Sequence, residues 1–366
     1  MANHEFYMRL ALDNARAMKG QTDPNPMVGA VIVNDNRIVG IGSHLKPGEP
    51  HAEIHAIRMA GEKTIGGTIY VTLEPCSHHG RTGSCAKAIV KAGLKTVVIA
   101  SLDPNPLVSG RGVAILKEAG IEVITGVLER ESQTMNEVFN KFIVQKRPFV
   151  TTKSAVTLDG KISTYTSDSK WITSEEARTD VHHIRNENMA ILVGVNTVIK
   201  DDPELSTRIP NGRNPIRVIL DSTLRIPLES KVVQDGKAES WIFTTERASA
   251  EKRKELENAG VSVFVTKSPG DQVNPVEVVD LLGEKLVSSL MIEGGGAVIA
   301  SFLQHQLVDK MVVYMAPKLV GGSLAPTFLE GTGIEKMSDA VELRDLSVEK
   351  TGKDFKFTGY PVYQGK

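Results

Sequence analysis

Cysteine is scarce: Cys76 and Cys85 are the only two in 366 residues. That excludes a disulfide framework. In a reducing cytosol, the expected compartment here, a close pair of thiols is metal-binding or catalytic rather than bridged. No run of 18 apolar residues occurs, so no membrane span is expected. The first twenty residues lack the apolar centre of a signal peptide; Tyr7, Leu10, Ala11, Ala15 and Met18 recur at helical intervals with charges between them. A basic surplus is also missing. Lys and Arg number 43 against 44 Asp and Glu, for a net charge of −1, so the chain is poorly equipped to neutralise the phosphates of a long nucleic acid. Aromatic residues make up only 5%, but 41% hydrophobic and 24% charged residues are an ordinary globular balance.

What is present is alternation. Up to about Arg147, strand-length apolar runs (AVIVND, RIVGIG, GTIYVTLEP, TVVIASLDP, IEVITGV) alternate with helical patterns (HAEIHAIRMAG, CAKAIVKAG, GVAILKEAG) that each close on a glycine. The first two runs predict a hairpin turning near Asn34 to Asn36. One amphipathic helix, LERESQTMNEVFNKFIVQ, is expected to end before Pro148. From there a second α/β sheet is predicted, with Thr173 and Glu176 as a capping box for the helix SEEARTDVHHIR and a closing antiparallel hairpin around Thr351-Gly352-Lys353. The expected domains are therefore 1–147 and 148–366, with 17 basic against 14 acidic residues in the first and 26 against 30 in the second. The one internal echo is Asp-Pro-Asn-Pro, at 23–26 and again at 103–106, which predicts two rigid turns.

The chemistry concentrates around the two cysteines. His51-Ala52-Glu53 opens one predicted helix, Pro75-Cys76 ends a strand, and Cys85 starts another helix. One imidazole and two thiolates form a zinc set that leaves a fourth position open, which points to catalysis rather than scaffolding. The order H-A-E then P-C and C is the signature of zinc-dependent nucleobase deaminases, in which the glutamate, here Glu53, shuttles protons and is not a ligand. His55 is expected near the metal or in the core, and His78 and His79 in the pocket or at the surface.

Eight residues separate the cysteines where most such deaminases have two. That spacing, with the strings G-S-H-L-K-P-G-E-P-H-A-E, T-L-E-P-C-S-H-H-G-R-T-G-S-C and D-P-N-P-L-V-S-G-R-G, resembles the bifunctional riboflavin-biosynthesis deaminase/reductases. The resemblance continues through T-K-S-A-V-T-L-D-G-K-I-S, S-K-W-I-T-S-E-E-A-R, I-L-V-G-V-N-T-V-I-K-D-D-P-E-L and I-E-G-G-G, and so covers nearly the whole chain. It implies a cytidine-deaminase-like α/β/α domain followed by a dihydrofolate-reductase-like α/β domain, one Zn2+ and NADPH. The implied substrate is a small phosphorylated pyrimidine, with no nucleic acid or membrane partner; a homo-oligomer is compatible with such a chain. By position it assigns Asn25, His44, Arg81, Asp103 and Asn105 to the deaminase pocket, with Arg81 where the family often has Lys.

In the second half the resemblance places Lys153 by the sugar carbonyl, with Asp201 the other polar candidate for the hydride-transfer site. It assigns Ala155, Trp171, Thr197, Asp201, Ser222 and Gly295 to the cofactor, and Ser169, Arg185, Leu205, Arg208 and Glu293 to the substrate. Read from the residues alone, Gly294-Gly295-Gly296 between a strand and a helix would let backbone N–H groups approach a pyrophosphate, although the third glycine of G-x-G-x-x-G is missing. Arg185 and Arg208 suit a phosphate because a guanidinium binds it in a fork. Arg247 is expected to be a plain charge at a helix start. Two rivals are a deaminase of nucleosides or tRNA, which leaves the second domain unexplained, and a non-catalytic zinc protein, which leaves Glu53 without use.

Overall fold

The computed structural model describes residues 3–77, 83–106, 108–267 and 271–363. The chain divides into two compact units, Met1–Lys146 and Arg147–Lys366.

The first unit runs α1 (His4–Arg16), β1 (Gly29–Asn34), β2 (Arg37–Ser43), α2 (Ala52–Ala60), β3 (Thr68–Leu73), α3 (Cys85–Lys91), β4 (Thr96–Ser101), α4 (Arg111–Glu118), β5 (Glu122–Thr125), α5 (Glu129–Met135) and α6 (Glu137–Gln145). Its sheet has the order β2-β1-β3-β4-β5; β1 is antiparallel to both neighbours, and β3, β4 and β5 are parallel. The predicted hairpin turn is there, with Asp35 and Asn36 both at positive φ, as a tight two-residue turn requires. Alternation along β1 and β3 sends Ala30, Ile32, Ile69 and Val71 to one face, packed with Ala56 and Ile89, and Val31 and Tyr70 to the other, packed with Met8 and Leu12. Buried on both faces, the strands read as near-continuous apolar runs.

The single amphipathic helix expected after residue 127 is two, α5 and α6. Asn136 interrupts it: its buried side chain accepts from the backbone N–H of Met27 and donates to the Met27 carbonyl, both at 2.9 Å. A periodic apolar pattern carries no sign of such a distant partner.

The second unit runs β6 (Phe149–Thr157), α7 (Glu175–Glu187), β7 (Ala190–Gly194), α8 (Val195–Asp201), β8 (Ile216–Leu220), α9 (Lys231–Gln234), β9 (Ser240–Thr245), α10 (Ala250–Asn258), β10 (Ser262–Thr266), α11 (Pro275–Glu284), β11 (Ser289–Ile292), α12 (Gly296–Gln304), β12 (Lys310–Ala316), β13 (Glu342–Thr351) and β14 (Asp354–Val362). Nine strands form one sheet, β10-β9-β8-β7-β11-β6-β12-β14-β13, parallel from β10 through β12 and closed by the antiparallel hairpin β13–β14 at its edge. The α7 cap lies one residue later than expected: Ser174, not Thr173, accepts from the Ala177 N–H, while the Ser174 N–H donates to Asp354 at 2.6 Å. That carboxylate fixes Ser174 in the capping position.

Candidate functional sites

In the first unit, α2 lies directly on β2 because Gly42 has no side chain; a Cβ there would run into the Ala52 carbonyl, the Ala56 nitrogen and His55. This close approach sets His51, the N-cap residue of α2, at the end of the sheet. Cys76 follows β3, and Cys85 is the first residue of α3. Ser84 caps α3 through the Lys87 N–H and donates to the Cys76 carbonyl at 2.9 Å, so the chain returns to the first thiol after its excursion. His51 Nδ1 stands 3.6 Å from Cys76 Sγ and 3.2 Å from Cys85 Sγ, and all three ligand atoms lie within 4.8 Å of one another. The Cys85 N–H donates to Cys76 Sγ at 3.3 Å. Hydrogen bonding from Cys85, against the opposing effect of burial, holds the Cys76 thiol well below the usual range, which favours a thiolate.

Glu53, in the first turn of α2, is 3% exposed, and its Oε2 is buried with no partner among the described residues. Burial raises its carboxyl to about 7. A buried carboxyl without a partner is costly unless a ligand or metal-bound group completes it. The donor set therefore fits zinc, and the orphaned oxygen fits a proton-transfer role beside it.

Around this centre Asn25 Nδ2 contacts His44 Nε2 at 3.1 Å, and the His44 ring stands edge-on to His51 with centroids 5.4 Å apart. Burial keeps His44 below its ordinary value. The Asp103 carboxylate accepts from the Asn105 N–H at 2.9 Å, closing the second Asp-Pro-Asn-Pro turn on itself. Arg81, with His78 and His79, lies outside the described residues.

In the second unit, a cleft of about 460 Å3, within the usual range of small-molecule sites, opens at the C-terminal ends of the parallel strands. Ser169, Thr197, Asp201, Ser222 and Gly295 all line it. Gly295 caps α12 with no side chain, and with Gly296 and Ala297 of the first turn it lines the cleft, so the helix N-terminus lies at its wall. The cleft also gathers Asn196, Lys200 and Arg225, none of which the sequence singled out; Arg225 donates to Asn196 at 2.9 Å. Their signal was the β7–α8–β8 unit, whose loops open at the same end of the sheet as the triple glycine.

Two residues before Gly295, Glu293 anchors a charged cluster. Its carboxylate accepts Arg185 Nε at 2.7 Å and Nη2 at 2.9 Å, and Lys153 Nζ lies 3.7 Å away. Burial opposes ionisation of Glu293, but Arg185 and Lys153 outweigh it and hold the carboxyl at about 2. Burial draws the Lys153 ammonium below its ordinary range; Glu293 counters this and Arg185 adds to it. Arg185 also donates to the Ser206 carbonyl at 3.0 Å. Ala155 shares the Lys153 face of β6 two residues on, whereas Leu205 is buried in the core with its backbone at positive φ. Arg208 is exposed, 3.8 Å from Glu204. Trp171 is not on the cleft: it lines a separate hollow, 60% exposed, with the Arg178 guanidinium 4.5 Å over its ring. On α7 His182 is half-buried and His183 exposed, as adjacent helical positions diverge. Arg247 pairs with Asp271 at the surface at 2.7 Å.

Comparison with known proteins finds two family models along the chain. Residues 1–101 match the cytidine and deoxycytidylate deaminase zinc-binding region, and residues 148–357 match the RibD C-terminal domain. The riboflavin biosynthesis protein RibD of Bacillus amyloliquefaciens is 46% identical over 98% of this chain and 96% of its own. That of Aquifex aeolicus is 47% identical over 95% and 96%. Among solved structures, Acinetobacter baumannii RibD superposes with a TM-score of 0.87 at 37% identity, covering 98% of this chain and 99% of that one. The Thermotoga maritima diaminohydroxyphosphoribosylaminopyrimidine deaminase/5-amino-6-(5-phosphoribosylamino)uracil reductase gives 0.86 at 37% identity with the same coverage. A zinc-binding deaminase domain precedes a reductase domain in one chain, with relatives aligned along nearly its full length, and the chain belongs to the RibD family of bifunctional riboflavin-biosynthesis deaminase/reductases.

Proposed function

We propose that the chain deaminates 2,5-diamino-6-ribosylamino-4(3H)-pyrimidinone 5′-phosphate and then reduces the ribosyl group with NADPH, giving 5-amino-6-ribitylaminouracil 5′-phosphate. Residues 1–147 carry the first step and 148–366 the second. The observation that carries the reading is the convergence of His51, Cys76 and Cys85 beside the partnerless Glu53 oxygen.

In this reading His51, Cys76 and Cys85 would hold one zinc, which when bound would supply Lewis acidity that makes water a nucleophile at neutral pH. Glu53 takes a proton from the attacking water and delivers it to the ring nitrogen next to the carbon that bears the amino group, then takes the second proton from the hydroxyl now on that carbon and gives it to the amine, which leaves as ammonia as the carbonyl forms. Asn25, His44, Arg81, Asp103 and Asn105 orient the pyrimidine and its sugar phosphate.

For reduction, NADPH supplies the hydride and would lie in the cleft lined by Thr197, Asp201, Ser222 and Gly295, its pyrophosphate against the open N-terminus of α12. The resemblance adds Ala155 and Trp171 to the cofactor set, Trp171 from its separate hollow and not from this cleft. Lys153, placed by the resemblance at the sugar carbonyl position, would donate a proton to the ring oxygen released as the sugar opens, while hydride reaches the sugar carbon that stays bonded to nitrogen, and Asp201 holds the reacting groups in the cleft. Ser169, Arg185, Leu205, Arg208 and Glu293 hold the substrate. The enzyme works in the cytosol on a small phosphorylated pyrimidine, not on nucleic acid or a membrane.

The test is to incubate purified protein with the diaminopyrimidinone ribosylamine phosphate, with and without NADPH, and identify products by mass. Deaminated product alone without NADPH, and ribityl product with it, are expected. Deamination of free cytidine or adenosine in place of this substrate would overturn the reading.

A further inference from the structure

The repeated Asp-Pro-Asn-Pro turns, at 23–26 and 103–106, supply Asn25, Asp103 and Asn105 to the proposed pocket, yet each turn is anchored by a residue far away in sequence. Glu74, 6% exposed at the end of β3, spends both carboxylate oxygens on the backbone of the second turn's first residue and of the segment that follows the turn. Oε2 accepts the N–H groups of Asp103 at 3.3 Å and Gly110 at 2.9 Å; Oε1 accepts those of Gly112 at 2.9 Å and Val113 at 3.3 Å. The first turn of α4 comes this close because Gly112 has no Cβ, which would otherwise strike the Pro75 carbonyl. The Asn136 side chain, 3% exposed, pairs with both the N–H and the carbonyl of Met27, the residue directly after the first turn. We infer that Glu74 and Asn136 are positioning residues of the deaminase pocket, each fixing one of the two turns relative to the His51, Cys76 and Cys85 centre.

The inference rests on the deaminase reading above. Physically, Glu74 suits the task because four N–H donors converge on it, and only a carboxylate offers acceptors on both sides. It stands two residues before Cys76, so a single short segment carries a metal-ligating thiol at one end and the wall of the pocket at the other. Asn136 acts at the opposite wall, where Asn25 meets His44 and His44 meets the His51 ring. Neither residue touches the proposed reacting atoms. Each sets where a substrate-binding side chain stands, and misplacement of about 1 Å can cost on the order of 100-fold in rate.

Glu74→Gln keeps shape but turns an NH2 group against backbone donors, and Asn136→Ser removes the Met27 pair. Full-length wild type and both variants would be compared for zinc per chain, for steady-state deamination without NADPH, and for reduction of supplied deaminated substrate. Each variant should keep one zinc and normal reduction while KM for deamination rises about 10-fold or more and kcat falls less. Glu74→Asp, retaining both oxygens, should recover part of the loss. Unchanged KM in a folded, zinc-loaded Glu74→Gln protein would overturn the inference, as would loss of activity only in step with loss of zinc. If Glu74→Gln does not fold, Asn136→Ser decides by the same criterion. A wild-type protein that does not deaminate would sink the functional reading itself, which separates the two failures.

Discussion

Replacing Glu293 by Gln tests the charged cluster of the second unit most directly. In the wild type this carboxylate balances two cations in a space that leaves the Lys153, Arg185 and Glu293 side chains only 14%, 15% and 10% exposed. The amide leaves one oxygen for Arg185, donates where an acceptor stood, and strands a largely buried guanidinium and ammonium without a counter-charge. Stranding a buried charge costs roughly 3–5 kcal/mol. With one acceptor kept, the lower figure, about 3 kcal/mol, is expected, which for a domain of this size lowers Tm by about 6–12 °C.

The pH dependence has a definite sign. Glu293, held at about 2 when folded, contributes stability that is present above its unfolded value of about 4.3 and is lost as pH falls through about 2. The stability deficit of the variant should therefore be full near neutrality and shrink in acid. Lys153 lies below its ordinary value when folded, so the unfolded chain holds its proton more tightly, and the fold is progressively disfavoured as pH falls from the ordinary lysine range to the lowered folded value, below which the cost is constant. Removing Glu293 removes what raises Lys153 and leaves what lowers it, so the alkaline limb of reductase kcat/KM should move to lower pH. Thermal melts from pH 2 to 9 and reductase pH profiles with saturating NADPH supply the measurements. A variant with wild-type Tm and an unshifted alkaline limb would refute both the charge balance and the assignment of Lys153 as proton donor.

Other perturbations address the first site and the separation of the two. Cys85→Ser should lose zinc and deamination together, because a hydroxyl is a poorer ligand than a thiolate; full metal occupancy by elemental analysis would refute the ligand set. Glu53→Gln should keep one zinc per chain and lose about 100- to 10,000-fold in deamination rate, and a rate within a few-fold of wild type would remove Glu53 from the mechanism. Gly42→Ala should push α2 off β2, lowering stability by about 1–3 kcal/mol in denaturant melts and weakening zinc retention against a chelator. Lys153→Ala should deaminate normally but fail to reduce; product analysis that finds the reverse would show that the sites are not divided as proposed.

How much of this was legible in the sequence depended on the range of the interaction. Strands, the hairpin at Asp35-Asn36 and the glycine-closed helices are written in neighbouring residues, and so is H-A-E, since a helix start puts His51 at its N-cap and Glu53 in its first turn whatever surrounds it. The cleft was legible at Thr197, Asp201, Ser222 and Gly295 through family resemblance, but not at Lys200 or Arg225, whose place depends on which loops a nine-stranded sheet brings together. The splitting of one helix at Asn136 and the later cap at Ser174 were hidden for the same reason: their partners, Met27 and Asp354, lie 109 and 180 residues away. The two buried glutamates of the first unit make the distinction sharpest. Glu53 and Glu74 each stand two residues from a proposed zinc ligand, in strings of equal prominence, and both are almost wholly buried. Among the described residues one oxygen of Glu53 meets no donor, whereas Glu74 meets four backbone N–H groups. Four fixed donors hold the Glu74 carboxylate in place as part of the framework, whereas the open Glu53 oxygen leaves room for a donor that a bound water or substrate brings. The division between architecture and chemistry thus falls on hydrogen bonds that only the folded chain creates.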